Sequence, residues 1–269
     1  MTKLTEFLTK TLTSKLMRKV PEVTVFFWVI KLLTTSMGES TSDYLVHTVD
    51  PVIAVILGAI GFIVAIILQL RARKYVAWIY WLAVTMVAVF GTMAADVVHI
   101  VLGVPYLFST IFFAISLAII FTIWYKIEQT LSIHSIVTSR RELFYWAVVV
   151  ATFALGTAAG DMTAITLNLG YLHSGILFGI LFLLPLIAYK ILGADEVFTF
   201  WFSYIMTRPF GASFADLFGR TPDLGGLGFG TGKTSIILTI FIIGFVLYLS
   251  VTRKDTTRKE SEVLYSLTK

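Results

Sequence analysis

The chain has 269 residues, 57% of them hydrophobic and 14% charged, with a mean hydropathy of +0.88, which excludes an ordinary soluble domain and puts it in a lipid bilayer. The absence of cysteine excludes disulfides, thiolate zinc sites, iron–sulfur clusters and cysteine nucleophiles. A net charge of +5 carries no nucleic-acid reading, because the basic residues gather in alternate connections between apolar segments.

Residues 1–20 set Leu4, Phe7, Leu8, Leu12, Leu16 and Met17 at helical spacing among lysines. That is the pattern of an amphipathic cytoplasmic segment lying on the membrane surface, with a frayed polar tail as the plainer alternative. The segment lacks the apolar core and small-residue cleavage site of a signal peptide, so the N-terminus reads as mature. Eight apolar windows follow, centred near Ile30, Ile60, Val87, Ala114, Ala151, Leu181, Ile205 and Ile242. Each is of the roughly 20 residues needed to cross about 30 Å of hydrocarbon. The basic residues of the N-terminal segment, of the second-to-third and fourth-to-fifth connections and of the tail share one side. Opposite connections such as YLVHTVDP and VVHIVLGVP carry no Lys or Arg before Arg220 and Lys233. The positive-inside rule then predicts a single membrane domain over residues 21–252 with both termini cytoplasmic, and residues 253–269 as a solvated tail.

An internal repeat organises these spans. An aromatic–Trp pair is followed ten residues after the Trp by Gly and fifteen after it by Asp, in four sets: Phe27, Trp28, Gly38, Asp43; Tyr80, Trp81, Gly91, Asp96; Tyr145, Trp146, Gly156, Asp161; and Phe200, Trp201, Gly211, Asp216. From average Gly and Asp usage, a chance match after one Trp is on the order of 1 in 400. Four matches among six tryptophans are therefore no accident. Each copy sits on an odd-numbered span and is followed by an apolar one, giving two-helix repeats over about 21–71, 74–126, 140–192 and 195–252.

With this motif, and with the opening KVPEVTVFFWVIKLLTTSMGESTSD, the chain from about residue 20 to 250 resembles a bacterial family of integral membrane proteins defined by a four-fold tandem repeat of unknown function, each repeat holding two spans and a Trp. The resemblance implies a multi-pass protein of the bacterial inner (plasma) membrane and brings no activity with it.

Positions 3, 7, 10, 11, 14 and 15 after each Trp fall on one helical face, and that face carries the polar content: Lys31, Glu39 and Asp43 in span one, Asp96 in span three, Asp161 in span five, Arg208 and Asp216 in span seven. Charges at a helix centre cost about 2.5–3.5 kcal/mol each, against about 0.3–0.6 returned by each large apolar residue, so span one needs neighbours around it. The even spans are apolar all round and suit contact with lipid. The expected fold is an all-α membrane protein: eight transmembrane helices as four parallel repeats around a pseudo-four-fold axis, odd helices inside and even helices outside.

In that arrangement Asp43, Asp96, Asp161 and Asp216 form a carboxylate ring toward the extracytoplasmic end with Glu39 one turn deeper, and such a ring attracts cations. Oxygen ligation suits magnesium, calcium or manganese; ligation shared with His47 and His99, each at helical reach of an Asp, suits manganese, iron, cobalt, nickel or zinc. Lys31 and Arg208 read as counter-charges or gating residues, with Pro209 freeing the carbonyl of Ile205. The bland alternative is a buried ion pair that holds the bundle shut. The segment GLGFGTGKTS imitates a phosphate-binding loop, but Leu227 stands where its first Gly is required, and the segment reads as a flexible lid or connector. No hydrolase triad, zinc-protease helix or nucleotide fingerprint is present. The leading expectation is a cation transporter or channel, for a divalent metal ion before others, with membrane lipid and the cation as partners. A non-transporting scaffold or sensor with a sealed ion-pair core, and an enzyme acting on a lipid or quinone, stand as alternatives, and the oligomeric state is open.

Overall fold

A computed structural model describes residues 18–256; the amphipathic segment expected over 1–20 and the tail expected over 253–269 lie mostly outside the described residues. Eight long helices follow one another: α1 Val25–Thr48, α2 Pro51–Arg71, α3 Ala77–Asp96, α4 Tyr106–Glu128, α5 Ser139–Asp161, α6 Gly170–Leu192, α7 Glu196–Gly219 and α8 Thr231–Thr252. No strand occurs among the described residues. α3 and α5 each run on into one wider π turn, Val97–Val101 and Met162–Thr166.

Local sequence explains the helix ends. Asp50 caps α2 by accepting hydrogen bonds from the backbone N–H of Val52 (3.0 Å) and Ile53 (3.2 Å), with Pro51 at the first helical position. Asp195 caps α7 through Phe198 N–H at 2.7 Å, and Thr24 and Thr138 do the same for α1 and α5. At the other end, Gly193 takes a left-handed conformation and stops α6.

Six helices are long and apolar enough to cross a membrane; α1 and α7, at 24 residues each, are equally long but less apolar, because each carries polar residues along its length. The two groups differ in what they bury. α1 buries Lys31, Thr34, Thr35, Gly38, Glu39, Ser42 and Asp43, and α7 buries Thr207, Arg208, Gly211, Ala212 and Asp216. α2 buries little besides Ala54, Gly58, Ala65 and Gln69, and α8 little besides Ile242, Val246 and Leu249.

The repeat motif makes the contacts between odd helices. Ring centroids of Phe27 and Trp81 lie 5.8 Å apart, Tyr80 and Trp146 5.7 Å, Tyr145 and Trp201 6.1 Å, and Phe200 and Trp28 5.7 Å. In each case the aromatic before one Trp meets the Trp of the next repeat, and the last link returns from the fourth repeat to the first. These separations fit tilted aromatic pairs, worth about 0.5–1.5 kcal/mol each beyond area burial. The motif glycines repeat the scheme one layer up. Gly38 packs on Ala88, Gly91 on Phe153, Gly156 on Arg208 and Gly211 on Thr35, each time against the residue seven after the next Trp. The Trp therefore works as a packing wedge between repeats.

Covalent hairpins are not the packing units. Each even helix lies mainly against the odd helix that follows it, α2 on α3, α4 on α5 and α6 on α7, and α8 lies on α1. Gly58 and Gly61 of α2 face Met93 and Met86 of α3, while Gly175 and Gly179 of α6 face Phe214 and Phe210 of α7.

At the end of the bundle where α1 begins and α8 ends, residues 18–22 form a strap bonded to the second-to-third and fourth-to-fifth connections and to the stretch after α8. Lys19 N–H donates to the Ile136 carbonyl (3.1 Å), Tyr75 N–H to that of Arg18 (2.8 Å) and Glu22 N–H to that of Asp255 (2.9 Å). The buried Lys19 ammonium pairs with the fully buried Glu142 at 2.5 Å, and the Gln69 amide donates to the second Glu142 oxygen at 2.9 Å.

A Cβ added at Gly38 would overlap the backbone of Ala88, and overpacking of this kind costs about 1–3 kcal/mol. Gly38→Ala is therefore expected to lower the melting temperature in detergent by several degrees, whereas Gly244→Ala, with nothing within 4 Å of the new methyl, leaves it unchanged.

Candidate functional site

Halfway along α7 the chain buries an arginine where all four odd helices meet. The Arg208 side chain is 1% exposed, and its Nη2 lies 2.5 Å from Glu39 Oε2. The same nitrogen donates to Thr157 Oγ1 at 2.8 Å and to Thr92 Oγ1, and Nη1 donates to the Thr35 carbonyl at 3.3 Å. Glu39, Thr92 and Thr157 occupy one register, eleven residues after Trp28, Trp81 and Trp146; the fourth member of that register is Ala212. One guanidinium from the fourth repeat thus ties together polar groups from the other three. Its geometry follows from the neighbouring residues: Gly156 leaves the space that Arg208 Cβ and Cγ fill, and α7 continues through Pro209 to Gly219. Removing either partner of such a pair strands a charge in a low-dielectric interior.

Lys31 lies elsewhere. It sits eight residues before Glu39, about 12 Å along the helix, and its ammonium stands 3.9 Å from the Phe153 ring centroid and 4.3 Å from that of Tyr204. Lys31 is 1% exposed and, among the described residues, has neither a hydrogen-bond partner nor a paired carboxylate, so two aromatic faces supply its stabilisation.

One turn beyond Glu39 the acids gather. Arg220 Nη2 is 3.0 Å from Asp43 Oδ2 and its Nε is 2.9 Å from Asp216 Oδ1. One carboxylate oxygen each from Glu39, Asp43 and Asp216 lies within 4.8 Å of the others, and all three residues are buried. Asp96 and Asp161 are partly exposed. Among the described residues their carboxylates form no ion pair. Both immediately precede the π turns, whereas Asp43 and Asp216 lie within regular helix.

The two histidines turn away. His47 is exposed and its Nδ1 is 2.6 Å from the Asp43 backbone carbonyl. His99 Nδ1 is 3.1 Å from the Val104 carbonyl, and its ring lies 4.2 Å from that of Tyr106. Each imidazole is thus taken up by its own helix end, and neither belongs to the group of oxygens from Glu39, Asp43 and Asp216.

Arg220 is the residue that sequence reasoning passed over, leaving it among the charges of a flexible loop. Its spacing of four from Asp216 was the available signal. The loop after it is pinned: Leu227 N–H donates to the Leu217 carbonyl (2.6 Å), Gly228 N–H to Arg220 (2.8 Å) and Phe229 N–H to Phe218 (3.0 Å). Glycines at 225, 228 and 230 with positive φ permit that fold-back. The expectation of a flexible connector is corrected accordingly. Thr92 and Thr157 were also missed as a pair, although their shared register with Glu39 was readable.

Fold and site together define a multi-pass helical membrane protein built on an internal repeat. The family model described as Repeat of Unknown Function (DUF347) matches residues 26–75, 79–130, 144–194 and 199–255, and the chain belongs to that family. No curated protein and no solved structure matches it.

Arg208→Met and Glu39→Met are each expected to cost about 3–5 kcal/mol in a denaturant titration in mixed micelles, because each leaves an unpaired buried charge. The double variant Arg208→Met/Glu39→Met is expected to recover most of that loss.

Proposed function

We propose that the chain is a membrane cation transporter or channel of eight spans, with its four repeats around a pseudo-four-fold axis, odd helices inside, and its cargo held by oxygen ligands on those helices. The ring reading is supported by the aromatic–Trp and Gly contacts, which recur between successive repeats and return from the fourth to the first. The observation that carries the functional reading is the convergence of Glu39, Asp43 and Asp216 oxygens within 4.8 Å. Hard oxygen ligands at that spacing suit magnesium, calcium or manganese.

Charge balance supports the same reading. Glu39, Asp43, Asp96, Asp161 and Asp216 face Arg208 and Arg220, which leaves three carboxylates in excess. In this proposal Arg220 is an internal counter-ion that gives way when a divalent cation enters, and Asp96 and Asp161 receive the cation first. Arg208 paired with Glu39, and Lys31 between its rings below them, close the axis in the state described. By the positive-inside rule the acid cluster opens extracytoplasmically and both termini are cytoplasmic, in the inner membrane if the source is bacterial.

A second reading, a sealed core in a scaffold or sensor, is favoured by one observation: Arg208 is buried and held by groups from every other repeat. Flux separates the two. In proteoliposomes, manganese or calcium uptake is expected from the unaltered chain and is expected to fall about tenfold or more in Asp96→Asn and Asp161→Asn, on the scale of one lost charge-assisted contact. Metal binding by calorimetry with no uptake in any variant would assign the protein to the sealed reading.

A further inference from the structure

Lys31 reaches across the middle of the bundle. α1 packs on α3 and α7, and α5 packs on the same two helices, so α5 stands opposite α1. The ring that the Lys31 ammonium meets at 3.9 Å is nevertheless Phe153, a residue of α5. Tyr204 of α7 supplies the second ring, at 4.3 Å. The Arg208 guanidinium carbon lies 5.5 Å from the same Phe153 ring, so two cationic side chains share one aromatic.

The fold treats these two cations differently. Arg208 receives oxygen from Glu39, Thr35, Thr92 and Thr157, whereas Lys31 receives none among the described residues. A guanidinium never gives up its charge and must be satisfied permanently. A buried lysine exists with or without its proton, and an ionisable side chain at membrane depth marks a functional position.

From Lys31 toward the start of α1, polar groups continue at one-turn intervals. Lys31 and Tyr204 stand three residues after Trp28 and Trp201; Tyr80 and Tyr145 stand one residue before Trp81 and Trp146, about 6 Å further along. Phe27 and Phe200 fill the same position in the other two repeats, so packing there does not require tyrosine. The Tyr80 and Tyr145 hydroxyls are 2.5 Å apart, and both residues are fully buried. The Tyr75 ring lies 5.8 Å from that of Tyr80, and its hydroxyl donates to Asp255, itself 2% exposed. The Tyr204 hydroxyl is buried and, among the described residues, unpartnered. A phenolic hydroxyl both donates and accepts, so a column of them passes a proton on and ends unchanged. Tyr248 of α8 is not part of it, lying against Phe26 on another face of α1.

We infer that Lys31 is a proton-exchange site served by this tyrosine column, and that its charge decides whether a cation passes along the axis. On release, an N–H bond of Lys31 breaks and the Tyr204 oxygen takes the proton. Tyr204 passes its own to the Tyr145–Tyr80 pair, and Tyr75 delivers one to the Asp255 carboxylate. Lys31 is left an amine, Asp255 an acid, and each tyrosine is restored. With its proton, Lys31 repels a divalent cation arriving from the acid cluster; without it, the nitrogen offers a lone pair. The gating role rests on the transport reading above; the proton site does not.

The test follows protonation and flux separately on the full chain. With isotope-labelled lysine in micelles, one ε-carbon resonance absent from Lys31→Met is expected to titrate between about pH 5 and 10, the span over which lysines in proteins titrate. In Tyr145→Phe that resonance is expected to split into two, because the proton then moves too slowly to average them. In proteoliposomes, manganese uptake is expected to rise about tenfold per pH unit below the midpoint, in step with the deprotonated fraction. Uptake is expected to be high and to lose that dependence in Lys31→Met, and to vanish in Lys31→Arg, which keeps its charge. A Lys31 resonance that does not titrate, or a Lys31→Met flux with the original pH dependence, would overturn the assignment, and an unsplit resonance in Tyr145→Phe would remove the column as the route. A titrating resonance in a chain that moves no manganese at any pH would instead overturn the transport reading and leave the proton site standing.

Discussion

A guanidinium cannot give up its charge, so once Arg208 is carried into the middle of the bundle everything around it must supply oxygen. Glu39 supplies the counter-charge, Thr92 and Thr157 supply hydroxyls, and Thr35 supplies a carbonyl. That requirement sets the rotation of the odd helices about their own axes and their relative heights. Apolar packing tolerates sliding by part of a turn; a guanidinium with acceptors on three other helices does not.

Two further layers obey the same register. Below the arginine, the aromatic–Trp pairs interlock repeat to repeat, and between them the motif glycines let the next helix approach within backbone contact. Membrane helices gain little from apolar association as such, because lipid tails are equally apolar, so close approach through small residues and buried polar contacts must hold them together. The duplicated motif provides both at fixed spacing. Divergence between copies then creates asymmetry on a common scaffold. The register that holds Thr in two repeats holds Glu in the first and Ala in the fourth, and the register that holds Arg in the fourth holds Phe in the third.

That asymmetry divides the acids. Asp43 and Asp216, on adjacent helices of the first and fourth repeats, share Arg220, while Asp96 and Asp161 remain outside any ion pair among the described residues. The latter two also adjoin the π turns, a local widening that recurs at functional sites in other helices. In the proposed reading, one pair of acids is held by an internal cation and the other pair is available to an external one.

Some of this was legible in the order of residues alone. Span lengths, the four-fold repeat and the polar face of the odd helices, which puts Glu39 and Asp43 on one side of α1, all follow from periodicity, since a helix of known pitch fixes which residues share a face; that Asp216 joins them was decided across helices. The partner choices were not legible. Glu39 had Lys31 on its own face and Arg208 on another helix, and the arginine prevails because the lysine sits about 12 Å away along α1 while Gly156 opens space for the arginine. Arg220 looked like a loop charge until the chain folded back over the end of α7. Nor did the sequence show that His47 and His99 each meet a backbone carbonyl at their own helix end. The even helices lie on the following repeat and not on their hairpin partners, because side-chain fit between neighbouring repeats, which no local pattern encodes, outweighs a short connection. Sequence determined which surfaces had to be buried and at what spacing; the tertiary structure decided which surface met which, because that choice is made by distance and shape across helices far apart in the chain.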